Sequence, residues 1–469
     1  MPIPPPPPPP PPPPVQPFFY LSFGAAKQEL ANRLYDSNKV FWPDNELAMY
    51  LTEALRTWNA MTGYWRADFT FQTKQNVIWY NLLDTNSMPN SQVAAQLQDT
   101  DLYPVMLAHL LEPPQTFAPA WVWSGSSQFS VADFSNAMQR RLSELLAVTG
   151  CVLAVSQLPA LPGRMLLPDN VVDVYYAAYL PGTSTPLPVV LFKEDIWAAQ
   201  SYNPGYLQQP SGLPSIYMES SQPPITFDTD RAPGFGGTYE MLLTFVPNQW
   251  AVGTYLTIPN DWTWVLKWGA LADMLSRESN AKDVVRSQYC EQRYRMGLGL
   301  LQKAPTLLAL RIGNVPVQID TLSAAQFFNP SWRAASQGKP TAAYYAGLNV
   351  LALNPPPDNG AGNGYSCTAT VVSNAVIPTN NTDLIQVGRE DMDMIIDYAQ
   401  HLAAFKMGGE EFTRTIQLFE RFMTQVSIYG LELNEWAEYT HAIYGLAAAE
   451  KRQQPLMQPD TMNRGGPEQ

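Results

Sequence analysis

Residues 43–60 read PDNELAMYLTEALRTWNA, and their spacing decides how the rest of the chain is divided. Leu47, Leu51, Ala54, Leu55, Trp58 and Met61 recur at intervals of three and four, the period that lines one face of an α-helix. Asp44 stands where an N-cap belongs, Glu46 falls in the first turn where the helix dipole favours an acid, and Gly63 ends the run. The other face carries Glu46, Glu53, Arg56 and Asn59. It reads as exposed and holds no catalytic constellation.

Two further stretches carry the same helical period. In WTWVLKWGALADMLSRES, Val265, Trp268, Leu271, Ala272 and Leu275 form one stripe behind Asp261 as the expected N-cap. AKDVVRSQYCEQRYRMGLGLL follows a break at Ser279 and Asn280, so the pair predicts a helical hairpin, with Asp283–Arg286 and Glu291–Arg295 as surface pairs. From Asp383 to Lys451 three helices are expected. The first stops at Gly408 and Gly409, the second at Gly430, and the third runs into a tail rich in Gln and Pro.

Between these blocks the pattern shortens to that of strands. ADFTFQTKQNVIWYNL alternates around a polar turn at Lys74 to Asn76, and PSIYMESSQPPITFDT and GTYEMLLTFVP read as antiparallel strands punctuated by Pro and Gly. One helix, Asp133 to Thr149, lies within that region. The reading is an α+β fold: a discontinuous helical bundle domain interrupted by antiparallel β-sandwich or barrel-like insertions. In chain order it has a polyproline leader (1–24), a first bundle segment (25–63), a β-rich insertion (64–250) and a second bundle segment (251–310). A smaller β and loop insertion (311–382), a third bundle segment (383–453) and a flexible tail (454–469) complete the chain.

Composition narrows the function. Apolar residues make up 46% of the 469 positions and charged residues 15%, which describes a chain that folds over most of its length. The 28 basic and 41 acidic side chains give a net charge of -13, which argues against a broad basic face gripping phosphates. Cys151, Cys290 and Cys367 are too scattered for a disulfide framework or a CxxC metal site, and read as reduced and buried. The leader MPIPPPPPPPPPPPVQPFFYLSF lacks the basic and apolar regions of a signal peptide, and its prolines suit either a polyproline II rod of roughly 3 Å per residue, as a spacer or docking strand, or a disordered tail. No apolar run approaches the ~18 residues of a membrane span.

Motifs for chemistry are sparse. Glu438 and His441 form an ExxH on one predicted helix, with Asp397 and His401 at i and i+4 on another. A di-iron bundle needs two ExxH helices and two further carboxylates, so no metal is assigned. Glu390, Asp391 and Asp393 fall in a first helical turn, where the dipole accounts for them. GFGGTY, at 234–239, lacks the spacing of a phosphate-binding loop and precedes a strand, so it reads as a turn. Trp121, Trp123, Trp250, Trp262, Trp264 and Trp268 read as core, with sugar stacking or partner contact as the rival role.

The helical blocks resemble a known family. VFWPDNELAMYLTEALRTWNAMTGYWRADFTFQT is similar to the N-terminal helix and first hairpin of tailed-bacteriophage adaptor proteins, the head-to-tail connectors, with their aromatic, acid, ELxxYLxEALR pattern. LKWGALADMLSRESNAKDVVRSQYCEQRY looks like their second helical block, and VGREDMDMIIDYAQHLAAFKMGGEEF fits large members. The likeness covers about a third of the chain.

It implies a non-enzymatic virion protein with no cofactor, assembled in the host cytoplasm into a homo-oligomeric, dodecameric ring at the head-to-tail junction. Such a ring docks on the portal protein, contacts tail or fibre proteins and lets DNA pass without specific binding. Glu46, Glu53, Arg56, Arg286 and Arg293 are then expected at subunit interfaces, and Pro455, Leu456 and Met457 at the portal or a neighbour. The alternatives are another virion part, such as a collar, tail terminator or fibre-attachment protein, or a carbohydrate-binding or carbohydrate-active β-module on a helical scaffold.

Overall fold

A computed structural model of the chain describes residues 20–82, 97–111 and 129–430, apart from 184–186, 203, 206–207, 221–224, 247–249, 279–281, 305, 361 and 363. The expected contacts at Pro455, Leu456 and Met457, the Glu438–His441 pair, Trp121, Trp123 and the third helix of the last block lie outside the described residues. The described residues divide into two compact units, one holding 20–55 and Val376–Gln425, the other Arg56–Ala375 and 426–430.

The first unit is helical. Helix α1 (Phe23–Arg33) is capped by Ser22, whose hydroxyl accepts from the Ala25 N–H at 3.2 Å. Helix α2 (Asp44–Thr62) begins in this unit, and its stripe residues Leu47, Leu51 and Leu55 are fully buried. The unit also holds α9 (Arg389–Phe405) and α10 (Gly409–Arg414), with Ile395, Ile396, Leu402 and Phe405 equally buried. Glu390 and Asp391 do fall in the first turn of α9. Tyr398 stacks on Phe422 at 4.4 Å, and the Trp42 indole donates to the Ala403 carbonyl at 3.2 Å. The expected second helix of this block is interrupted: α10 ends at Arg414 and helix resumes over 416–430. At the break stands Thr415, whose hydroxyl donates to the Phe412 carbonyl at 2.7 Å and sits 2.9 Å from His401 Nδ1.

The second unit has a helical layer and three sheets. Helices α3 (Tyr103–His109), α4 (Val131–Thr149), α6 (Thr263–Ser276) and α7 (Val284–Leu301) form the layer. The α6–α7 hairpin is the one expected, and the packing it shows is against α4, the helix read as lying inside the β insertion. Asp261 is not the cap of α6. A 3-10 turn over Asn260–Trp262 precedes the helix, and the Asp261 carboxylate is bonded instead by the Asn59 amide at 2.6 Å.

The strands cross the expected insertion boundaries. β1 (Arg66–Gln72) pairs with β15 (Ser366–Val372), which also pairs with β10 (Leu307–Ile312), itself paired to β11 (Val315–Pro316). β2 (Trp79–Asn81) belongs to another sheet, beside β14 (Val350–Asn354), β13 (Ala342–Ala346) and β12 (Gln318–Thr321). The two strands around Lys74–Asn76 therefore do not form a hairpin. Their aromatic residues explain it: Phe69 and Phe71 enter one core from β1, while Tyr80 enters the same core from the facing sheet. On β14, Leu351 and Leu353 point into that core, and Val350 and Ala352 point the other way, as period-two alternation requires.

That second face packs on a seven-stranded sheet, ordered β3 (Ala154–Pro159), β9 (Thr238–Phe245), β5 (Val171–Leu180), β6 (Val189–Lys193), β7 (Ile216–Glu219), β8 (Thr226–Thr229) and β4 (Met165–Leu166). Strands β3 and β4 stand at opposite ends of this order, yet only residues 160–164 join them. The sheet is thus rolled, and Tyr179, Tyr217, Phe227, Met241 and Leu243 fill its inner side. GFGGTY is the turn that leads into β9. Short helices α5 (Ile196–Tyr202) and α8 (Leu322–Phe328) complete the unit. Among the described residues no helix is long and apolar enough to cross a membrane.

Candidate functional site

Tandem arginines on α4 organise the helical layer. The helix starts with a capping box, in which the Ser130 hydroxyl accepts from the Asp133 N–H and the Asp133 carboxylate accepts from the Ser130 N–H. Two turns later Arg141 reaches three helices at once. Its guanidinium bonds Asp273 of α6 at 2.7 Å, Glu291 of α7 at 2.8 Å and Glu144 of α4 at 2.9 Å. It lies 4.8 Å from the Tyr294 ring centroid, and the Tyr294 hydroxyl donates to the Arg141 carbonyl at 2.9 Å. Burial works against the Arg141 charge, but the Asp273 bond and the neighbouring Glu291 and Glu144 outweigh it and raise its pKa.

Around this knot the charges open to the surface. Arg140, 67% exposed, bonds the same Asp273 at 2.5 Å, and Arg277, 58% exposed, pairs with Asp133. Burial raises the Asp133 carboxyl, but Arg277 and the Ser130 bonds hold it below the ordinary aspartate range. Asp133, Asn136, Arg140, Asp273 and Arg277 line a cleft of about 510 Å³. On the other side of Arg141, a second cleft of about 390 Å³ is lined by Ser287, Gln288, Glu291, Gln292 and Arg295. Guanidiniums with donors to spare, beside carboxylates each already held, are the chemistry of polar protein recognition.

The hairpin beneath is unusually close. A Cβ on Gly269 would meet the Tyr294 ring at 2.8 Å, and one on Gly297 would meet Val265 at 2.6 Å. Both expected surface pairs are formed, Asp283–Arg286 at 2.7 Å and Glu291–Arg295 at 2.8 Å.

The interface residues expected from sequence are not gathered here. Glu46 is 6% exposed and bonded to Lys406 at 2.9 Å, and Lys406 also donates to the Phe41 carbonyl at 3.1 Å, so Glu46 is an internal anchor of the first unit. Glu53 and Asn59 are buried as well, which removes most of the α2 face read as exposed. Arg56 is half-buried. Arg293 is 2% exposed, with its guanidinium 5.5 Å from the Trp264 ring and 5.6 Å from that of Trp268, and belongs to the interior. Arg286 is half-buried and donates to the His109 carbonyl at 3.2 Å. Long side chains can be charged at the tip and buried along the stem, and periodicity does not separate the two cases.

Other candidates fall in the core. His109 is fully buried, with Nε2 3.2 Å from Lys267 Nζ and its ring stacked on Trp268; His401 stacks between Phe412 and Phe419. Asp397 is bonded by Arg33 at 2.7 Å rather than shared with His401. Among the described residues no group of three or more His, Cys, Asp or Glu is arranged to hold a metal ion. Burial pushes the thiols up, Cys151 to about 11 and Cys367 to about 12, and Cys290 is raised for the same reason. Trp262, Trp264 and Trp268 are buried and so offer no sugar-stacking platform; Trp197, 76% exposed, was not singled out by sequence. Arg140–Arg141, missed as well, carries a signal: two adjacent arginines within an otherwise apolar-periodic helix.

No family model matches the sequence, and no curated protein is significantly similar to it.

Proposed function

We propose that this chain is a structural subunit of a tailed-phage head-to-tail junction, one protomer of an adaptor or neck ring that docks on the portal and receives the tail. The observation that carries the reading is the α4–α6–α7 layer. Two of its helices coincide with the block that resembles the adaptors, their backbones are drawn together at Gly269 and Gly297, and Arg141 fixes all three. A rigid layer with an outward Arg and acid face suits side-to-side contact between identical subunits, where charge complementarity sets register. The net charge of -13 suits a ring that lets DNA pass, provided the acids line the lumen.

The test is co-purification with the cognate portal, followed by negative-stain electron microscopy. The expected result is a ring on the portal, with loss of ring closure when Arg140 and Arg277 are both changed to Glu. A monodisperse monomer that ignores the portal overturns the proposal.

A further inference from the structure

The chain passes between the two units after Leu55, after Ala375 and after Gln425. Within the second unit, all three passages are held at the end of α2. Asn59, fully buried, donates from Nδ2 to Asp261 Oδ2 at 2.6 Å and to the Ser373 carbonyl at 2.7 Å, and its Oδ1 accepts from the Trp65 N–H at 2.8 Å. The Ala375 N–H donates to the same Asp261 Oδ2 at 2.8 Å. The third passage is seated on the same turn of α2, where Tyr429 meets the Trp58 ring edge-on at 5.4 Å and a Cβ on Gly430 would lie 3.3 Å from the Met61 carbonyl.

Asp261 is the ionisable member of this knot. It is 4% exposed; one oxygen takes two hydrogen bonds, and Oδ1 has no hydrogen-bond partner among the described residues. The groups that face it are an amide from α2, a backbone N–H from the 373–375 segment and, through space, the Arg56 charge on α2. A buried carboxylate served by neutral donors, with no cation among the described residues bonded to it, is costly to keep ionised.

We infer that Asp261 is a proton-operated clasp within the second unit: protonated it holds the end of α2 to the 373–375 segment, and ionised it loosens them together. Burial pushes its carboxyl up to about 6 from the ordinary 3.8, against the opposing pull of Asn59, Ala375 and Arg56. Because the folded value is the higher, the stabilisation is complete below about 4 and is lost as pH rises through about 6. Integrated between those limits, the opening equilibrium grows about tenfold from pH 5 to pH 7.5.

Hydrogen exchange of the full chain, corrected for intrinsic rates, tests this at those two pH values. Residues 56–65, 373–375 and 426–430 are expected to lose protection together by about tenfold at the higher pH, while β13 and β14 do not. In Asp261→Asn the step disappears. Equal corrected protection at both pH values in the wild-type chain overturns the inference whether or not the variant folds, and an undiminished step in a folded D261N does so too.

Discussion

Gly297 and Gly299 lie two residues apart in one helix, and replacing each with alanine should move stability in opposite directions. At Gly297 the new Cβ would lie 2.6 and 2.7 Å from the two γ-methyls of Val265 and 3.1 Å from its Cβ. Val265 is fully buried and β-branched, so in a helix it has essentially one rotamer and cannot turn aside. The helices must part instead. Overpacking of this kind costs about 1–3 kcal/mol, and the better helix propensity of alanine returns up to about 1, leaving G297A less stable by about 1–2 kcal/mol. At Gly299, which is exposed, the Cβ would meet nothing within 4 Å, so only the propensity gain of about 0.5–1 kcal/mol remains. The assay is urea unfolding followed by tryptophan fluorescence, since Trp264 and Trp268 report on α6. Val265→Ala in the G297A background removes the colliding methyls, and the pair should be less than additive by more than about 1 kcal/mol. If G297A is as stable as G299A, α6 and α7 do not approach this closely and the reasoning fails.

Three further predictions probe the ion pairs. Arg141→Lys keeps the charge but loses the fork that spans Asp273 and Glu291, and should cost about 1–2 kcal/mol in the same unfolding assay. Arg295→Ala, an exposed i,i+4 partner of Glu291, should change stability by less than about 0.5 kcal/mol. Glu46→Ala leaves the buried Lys406 ammonium without its carboxylate and should cost about 3–5 kcal/mol, whereas E46L with K406M together should cost far less. A thermal-melt series separates this from the role first read for Glu46, because an exposed interface acid would leave the isolated chain nearly unchanged.

Helices were legible because their signal is local. The stripe from Leu47 to Trp58, the stop at Gly63 and the α6–α7 hairpin all follow from neighbours within one or two turns. Sheet partners were not, because β1 pairs with β15 about 300 residues away, and an alternating run looks the same whichever strand lies beside it. The charged residues failed for a related reason. Glu46 occupies the helix face opposite the leucines, where solvent is the default, and Lys406 covers it from the far end of the chain. Asp261 looked like a cap because the residue type and place were right; its partner Asn59 lies on α2, 202 positions earlier. The α4 arginines were within reach of the sequence, but their partners on α6 and α7 were not.

The rolled seven-stranded sheet bears on solubility before assembly. An open sheet ends in unpaired backbone groups that invite strands from other molecules, and the hazard grows when many copies are made together. Here the two terminal strands offer little to a stranger. β4 is two residues long and β3 ends at Pro159, which has no N–H to give. The five residues between them turn one edge back toward the other. In the proposed role, a subunit produced in bulk and held until its docking partner matures can therefore keep a large β surface without seeding fibres, leaving the helical layer as the face through which copies meet.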